Sequence, residues 1–407
     1  IHQIVTSIDG TLFQTGADPN GNPKYKPLKV SNRLTDEVGK LVRKKRIQRG
    51  WLDDQADGIA FRDCFVRVDA DGVHREAFSP EHRQVTGLPF PYMPGAAPSR
   101  FFETLRACWA PDSDADDKIE LFREFLGAAL CNRATRYQKG MILVGTGANG
   151  KSTIQSIAKA LFPGNSVTAV NPQDMDKEYR RAMLASARLN VVAELPEADI
   201  LASEAVKAMI SGDLVVARQI RQAPFEYHPR AAHLFSANNL PGVRDMTKAF
   251  WRRWLILEFS RQFDEHEQDR FLAGKIVSTE LAEIASWAVD GAACLAARRY
   301  YELPKSAEEA VAEWRRTADQ VALFIDENYD LEDSGRPLRE KLWTPAAPIY
   351  SHYVQWASAH GHRPMAHVKF GKRLAALGLE KKKKEHAIVW SCRMKTLKTA
   401  GDFRDAR

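Results

Sequence analysis

Residues 145–152 read Gly-Thr-Gly-Ala-Asn-Gly-Lys-Ser, an order of side chains that can hold phosphate. Gly145, Gly147 and Gly150 let backbone N–H groups approach an anion without a Cβ in the way. Lys151 can reach the β- and γ-phosphates of a nucleoside triphosphate, and Ser152 can ligate Mg²⁺. The flanks suit the loop. Met141-Ile142-Leu143-Val144 is an apolar run fit for a buried strand, and residues 153–162 have helical spacing. Strand, glycine-rich turn and helix N-terminus together aim N–H groups and a helix dipole at the ligand. The expected phosphate contacts are Gly145, Thr146, Gly147, Ala148, Asn149, Gly150, Lys151, Ser152 and Thr153. The bland alternative is a tight structural turn.

Hydrolysis of a bound triphosphate needs three more groups: an acid near metal and water, a polar sensor of the γ-phosphate, and a cation for transition-state charge. Glu194 ends the apolar run 189–193 and fits the acid, with Ser152 as its partner in holding a metal. Glu197 lies just beyond, and either acid could carry the role or be a turn residue. Asn238 ends the apolar run 231–237; Asn239 follows it, so one of the two could instead cap the turn at Pro241. Phe250-Trp251-Arg252-Arg253 precedes another apolar run, 254–259. An arginine there can reach a nucleotide bound by an adjacent subunit, with Arg253 slightly favoured over Arg252. The alternative is that both arginines pair with local acids.

These residues need a scaffold, and the pattern supplies one. Apolar strands alternating with helical segments imply an open parallel sheet with ligands at the strands' C-terminal ends. Between acid and amide lie a helix at 203–210 and a hairpin at 214–227. The chain divides into a linker and basic segment (1–47, with a short helix near 36–45), a mixed but mostly helical domain (48–133), the nucleotide core (134–262), a helical connector (263–318) and a last domain (319–400). That last piece reads as helices at 321–329, 349–359 and 367–377, a basic run and a strand-like 387–390. Three helices and a β wing match a winged helix, with a generic helical cap as the alternative.

The 407 residues carry a formal charge of +7, which favours a polyanionic partner. Two clusters concentrate it, residues 40–46 and Lys381–Lys384, although a solvated surface explains either one alone. The five cysteines (Cys64, Cys108, Cys131, Cys294, Cys392) form no Cys-x-x-Cys pair and read as reduced thiols. His233 and His386 read as structural or surface residues, not metal ligands. No run is long and apolar enough to span a bilayer, and no secretory signal is visible. The chain starts at Ile1 instead of Met, the expected mark of a piece cut from something longer.

In motif order the chain resembles the superfamily 3 helicases, specifically the phage and plasmid primase-helicase family related to the poxvirus one. Residues 145–153 resemble that family's phosphate loop, and 190–197 its acidic motif. Ser203-Glu204-Ala205-Val206-Lys207, Ser211-Gly212-Asp213 and Ala217-Arg218 resemble the approach to its DNA-contacting hairpin. Ser236-Ala237-Asn238-Asn239-Leu240-Pro241 resembles its sensor, and residues 250–253 its arginine-finger segment. The likeness extends over roughly residues 50–395. Ser211 departs from it, standing where the family more often has glycine. The family's N-terminal primase domain has no room here, and residues 1–100 show no paired-Asp polymerase motif.

The resemblance implies an AAA+-like P-loop NTPase core, with a mostly helical domain before it and a winged-helix domain after it. It implies ATP and Mg²⁺ as ligands and a homo-hexameric ring that unwinds DNA, moving 3′ to 5′. Single-stranded and forked DNA are the implied partners, with a primase domain or protein as a further one and no membrane. The implied setting is the bacterial host cytoplasm. Arg218 and Arg221 would contact the strand in the channel. Lys369, Lys372, Arg373, Lys381, Lys382, Lys383 and Lys384 would grip duplex. Two alternatives share the loop: an ATP-switched origin-binding initiator without processive unwinding, and a small-molecule kinase, which the basic clusters disfavour.

Overall fold

Internal contacts divide the chain into residues 1–54 and 55–407. The structure, a computed structural model, describes residues 11–46, 55–84, 86–195, 204–243, 245–331, 343–362, 364–384 and 387–395. In the first unit, β1 (Leu12–Ala17) pairs antiparallel with β2 (Pro23–Pro27), and α1 (Asn32–Arg46) follows. The Asp18 carboxylate accepts the Asn20 and Asn22 N–H groups at 2.9 Å each and closes the turn. A hairpin therefore stands where the sequence suggested a linker. Every residue of β2 is exposed, so the hairpin carries no apolar alternation to read. The basic run 40–46 belongs to α1.

The second unit opens with β3 (Gly58–Ala60), β4 (Phe65–Asp69) and β5 (Gly72–Glu76), a small antiparallel sheet. Helices α2 (Ser99–Trp109) and α3 (Ala115–Leu130) follow. Next come β6 (Gly140–Val144), α4 (Lys151–Ala160), β7 (Val167–Thr168), α5 (Glu178–Leu184), β8 (Leu189–Val192) and α6 (Glu204–Ser211). A hairpin of β9 (Val215–Ala217) and β10 (Phe225–Tyr227) precedes β11 (Ala232–Ala237), α7 (Lys248–Trp251) and β12 (Trp254–Glu258). Two further helices, α8 (Leu272–Arg298) and α9 (Lys305–Ala318), complete this part.

Five of these strands form one sheet in the order β12-β6-β11-β8-β7, every pair parallel. A parallel sheet must be covered on both faces, and strand alternation divides its side chains between two cores. Met141, Leu143, Leu234 and Leu257 join α2, α3, α4 and α8 on one side. Ile142, Val144, Phe235 and Ile256 join Phe250, Trp254 and Trp314 on the other. On the first side α3 crosses α8 so closely that a Cβ on Gly127 would lie 1.9 Å from the Ala288 carbonyl oxygen. His233 is buried within β11, where burial pushes its pKa down to about 4, so it packs as a neutral ring.

The chain ends in α10 (Gln320–Asn328), β13 (Tyr329–Asp330), β14 (Thr344–Pro345), α11 (Ala346–Ala359), α12 (His367–Ala376), β15 (Lys381–Lys384), β16 (Ala387–Trp390) and β17 (Arg393–Met394). Strand β16 runs antiparallel between β14 and β15, and β13 pairs with β17. Phe324, Tyr353, Phe370 and Trp390 anchor this third core. Asp319 caps α10 by accepting the Ala322 N–H at 3.2 Å. Among the described residues, no helix is long and apolar enough to cross a membrane.

Candidate functional site

The register of the sheet brings the C-terminal ends of β6, β11 and β12 level, since Val144 pairs with both Ala237 and Glu258. The loop 145–150 leaves the sheet there and enters α4. Gly150 has φ 87°, and a Cβ on it would meet Cys108 Sγ at 2.4 Å, so glycine is required twice over. Where a Cβ on Gly147 would sit, no protein atom lies within 4 Å, which leaves that side of the loop open to a ligand. The Lys151 ammonium donates to the Gly145 carbonyl and, at 3.2 Å, to Asn149 Oδ1. Burial holds its pKa below the usual lysine range, with the Glu194 carboxylate acting the other way.

Acid and amide meet at this edge. Asn238 Nδ2 donates to Glu194 Oε1 at 2.9 Å, and the Leu195 N–H donates to the Ser236 carbonyl at 2.7 Å. Lys151, Ser152, Thr153, Glu194 and Asn238 share the wall of one cleft of about 640 Å³. Glu197 lies outside the described residues.

The far wall of the cleft was missed in the sequence. Arg100, Glu103, Thr104 and Cys108 of α2 line it, together with Phe263, Gln268, Asp269 and Arg270. The segment after β12 is fastened to the loop: the Phe263 N–H donates to the Ala148 carbonyl at 2.7 Å and Gln262 Nε2 to Thr146 Oγ1 at 2.8 Å. Trp109 Nε1 reaches the Glu258 carbonyl at 3.1 Å and fixes α2 to the same strand end. These partners come from sequence-distant elements, and no local pattern marks them.

The two arginines before β12 have different fates. Arg253 is 8% exposed; its Nε and Nη2 donate to Ser211 Oγ at 3.1 and 2.8 Å, and its Nη1 to the Ala249 carbonyl. The hydroxyl at position 211, the departure from the family pattern, thus holds Arg253 inside. That geometry goes against the preference for Arg253 as the outward-reaching residue. Arg252 is exposed, donates to Gln138 Oε1 at 3.1 Å, and opens onto a second cleft with Arg136, Lys139, Arg299 and Tyr300. This cleft adjoins the N-terminal ends of β6 and β12, where the Gly140 N–H meets the Arg253 carbonyl at 2.8 Å. Five strand residues, roughly 16 Å, separate it from the phosphate loop.

The expected DNA contacts are scattered. Arg221 is exposed at the tip of the β9–β10 hairpin in left-handed backbone (φ 61°). Arg218 lies over the Tyr179 ring at 5.2 Å and donates to its hydroxyl. Lys369, Lys372 and Lys381–Lys384 are exposed, with Lys382 and Lys384 over the Trp343 ring at 6.0 and 5.9 Å. Arg373 is not available in the same way: its Nε donates to Asp319 Oδ2 at 2.8 Å, and that carboxylate is 3% exposed. The pair joins α12 to the start of α10, so Arg373 serves the packing of this domain.

Comparison with known proteins adds to this geometry. Residues 143–253 match a family of unknown function (DUF5906), and residues 316–401 match the family described as Poxvirus D5 protein-like. A helicase-named protein of Acanthamoeba polyphaga mimivirus is 23% identical over 141 residues, covering 31% of this chain and 14% of that protein. The aligned stretch is thus a small part of the curated relative. Among solved structures, the apo C-terminal region of NrS-1 superposes with a TM-score of 0.50 at 12% identity, covering 96% of this chain and 97% of that one. At that identity the likeness concerns the fold. With the phosphate loop, acid and amide converging at one sheet edge, the match of residues 316–401 to the Poxvirus D5 protein-like family supports the resemblance to the poxvirus-like primase-helicase family.

Proposed function

We propose that the chain is an ATP-dependent DNA helicase motor of the superfamily 3 type. The observation that carries this reading is the cleft in which Lys151, Ser152, Glu194 and Asn238 meet at the C-terminal edge of the parallel sheet. The core is read as AAA+-like and the domains as laid out above: 48–133 before the motor, 134–262 as motor, 263–318 as connector, and 319–400 as a winged helix in which α12 and β15–β16 supply the reading helix and wing.

The residues present suit ATP and Mg²⁺. The open side of the loop at Gly147 and the ammonium of Lys151 fit a triphosphate. Ser152 and Glu194 would hold the ion, which neutralises phosphate charge when bound. Magnesium ordinarily keeps several waters and takes phosphate oxygens, so one hydroxyl and one carboxylate from the protein would suffice. Glu194 orients and polarises the attacking water, and Asn238 holds the carboxylate in place while contacting the γ-phosphate.

The cleft wall carries Arg100 and Arg270 of the same chain, and the transition-state cation is assigned to Arg252 of an adjacent copy. Arg252 sits at the opposite end of the strands from the loop, so a chain cannot turn it on its own nucleotide. Head-to-tail packing of copies would set the Arg252 cleft against the next chain's phosphate loop, and such heterologous contacts form a ring when the rotation between copies closes. A homo-hexamer around single-stranded or forked DNA is the assembly this favours, with a primase as a further partner.

The experiment is ATP hydrolysis with and without single-stranded DNA, paired with strand separation on a forked duplex. Stimulation by DNA together with unwinding supports the motor. Hydrolysis that assembles chains on duplex without separating strands would instead establish the origin-binding initiator.

A further inference from the structure

Five of the large apolar side chains that the chain leaves in water gather around one hairpin. Tyr179 and Met183 on α5 are 44% and 49% exposed; Leu214 and Val216 at β9 are 54% and 42% exposed; Ile220 at the hairpin tip is 74% exposed. Tyr179 and Met183 are four residues apart and share a helix face. Val216 points outward between the buried Val215 and Ala217. Turn tips ordinarily carry polar residues, so an isoleucine between Arg218 and Arg221 needs a reason.

Helix and hairpin form one piece. The Arg218 N–H donates to the Glu178 carbonyl at 3.3 Å, Arg181 Nε to the Val216 carbonyl at 2.7 Å, and the Tyr227 hydroxyl to the Arg181 carbonyl at 2.6 Å. Arg181 is thereby committed to holding α5 against the strand. Cations rim the apolar surface, with an anion among them, the exposed Glu226 paired with Val216 across the hairpin. Arg218 lies over one face of the Tyr179 ring, with Glu178 3.9 Å away. Arg180 and Arg221 make no ion pair among the described residues, while Lys177 is engaged by Asp174 at 2.6 Å.

We propose that α5 and the hairpin tip together form a stacking platform for unpaired bases, with Tyr179 as its central ring and Met183, Val216 and Ile220 extending it. The proposal rests on the DNA-motor reading above and adds a contact to bases where that reading had only phosphates. The chemistry suits a single strand: bases stack on aromatic and aliphatic surface, while neighbouring arginines follow the backbone. A duplex keeps its bases stacked on one another and offers nothing to such a platform. Sequence preference is not expected, because every base has a π-face.

The test compares binding of an oligothymidylate with binding of an equally long strand of abasic sugar-phosphate, by fluorescence anisotropy on the full chain. The wild type should bind the abasic strand roughly tenfold more weakly, the effect of losing about one stacked base. Tyr179→Ala should weaken oligothymidylate binding by a similar factor and become indifferent to the bases, with its salt slope unchanged. Tyr179→Phe should keep the discrimination, and Arg221→Ala should keep it while flattening the salt slope. Equal wild-type affinity for the two strands, or undiminished discrimination in Tyr179→Ala, overturns the platform and leaves the motor reading intact. A change in assembly size with discrimination preserved also overturns it, since the surface would then be a contact between subunits. Wild-type chain that binds neither strand removes the platform and the DNA reading together.

Discussion

The phosphate-loop cleft and the lysine strand β15 both present cations, and they hold them in opposite ways. Lys151 is 6% exposed, and its ammonium is fixed by loop carbonyls and Asn149. The four lysines of β15 are all exposed, with the Trp343 ring beside two of them. A buried, fixed charge is screened less and acts on a defined position, whereas exposed charges are screened beyond about 10 Å at 0.1 M salt. The first arrangement suits chemistry and should fail abruptly when altered. The second suits graded, salt-dependent attraction to a polyanion.

The largest expected effect extends the comparison to a third cation, Arg252, which is exposed yet assigned to chemistry. Arg252→Ala should lower hydrolysis by about 10³-fold. Mixing it with a Lys151→Ala chain should restore part of the activity, since some interfaces would then join an intact loop to an intact arginine. Absence of rescue in mixtures shown to co-assemble would return Arg252 to the class of ordinary surface cations. Arg253→Ala should act differently, lowering stability because Ser211 then has no guanidinium to hold.

Next in size is Glu194→Gln, which preserves shape and removes the charge that polarises water. Turnover should fall by about 10²- to 10³-fold while nucleotide binding persists. Titration with a fluorescent nucleotide analogue separates the two effects. A larger loss of turnover in Glu197→Gln would transfer the role to that residue.

The smallest effects concern DNA. Arg218→Ala with Arg221→Ala should flatten the single-strand salt slope by roughly 1.4, about 0.7 for each phosphate that an arginine neutralises. Arg221 should account for more of it, because Arg218 already has Tyr179 and Glu178 as partners. Alanine at Lys381–Lys384 should flatten the duplex slope by about 0.9 for each phosphate no longer neutralised, and spare stimulation by single strands. Loss of basal hydrolysis in either variant would mean that cleft and DNA surfaces are not separable as described.

Elements with a strong local pattern were legible in the sequence. Strands β6, β8, β11 and β12 are short apolar runs with polar ends, and each lies within two residues of its expected place at either end. The hairpin and helices α10, α11 and α12 were equally visible. What depended on partners was not. Lys381–Lys384 read as a charge run and is a strand because β16 pairs with it, against its own weak β-propensity. Helix α5 has only seven residues, about two turns, and gains its place from β9, so nothing in its own residues announced it. Among the residues proposed for the site, loop, acid and amide were legible because the chemistry restricts their types. The walls from α2 and residues 263–270 were not, since any side chain of suitable size can line a cleft. Arg373 shows the converse error: a lysine- and arginine-rich helix face suggested DNA, and a buried aspartate fifty-four positions earlier had already claimed the arginine.

The central claim, that hydrolysis in this cleft drives strand separation, is tested most directly by one measurement on a forked duplex labelled on one strand. Release of the labelled strand is followed with ATP, with a non-hydrolysable analogue, and with the Lys151→Ala chain. Release with ATP and wild-type chain only, with Lys151→Ala still bound to the fork, is the predicted result. Release by Lys151→Ala or with the analogue, or hydrolysis by the wild type without any release, would contradict the account.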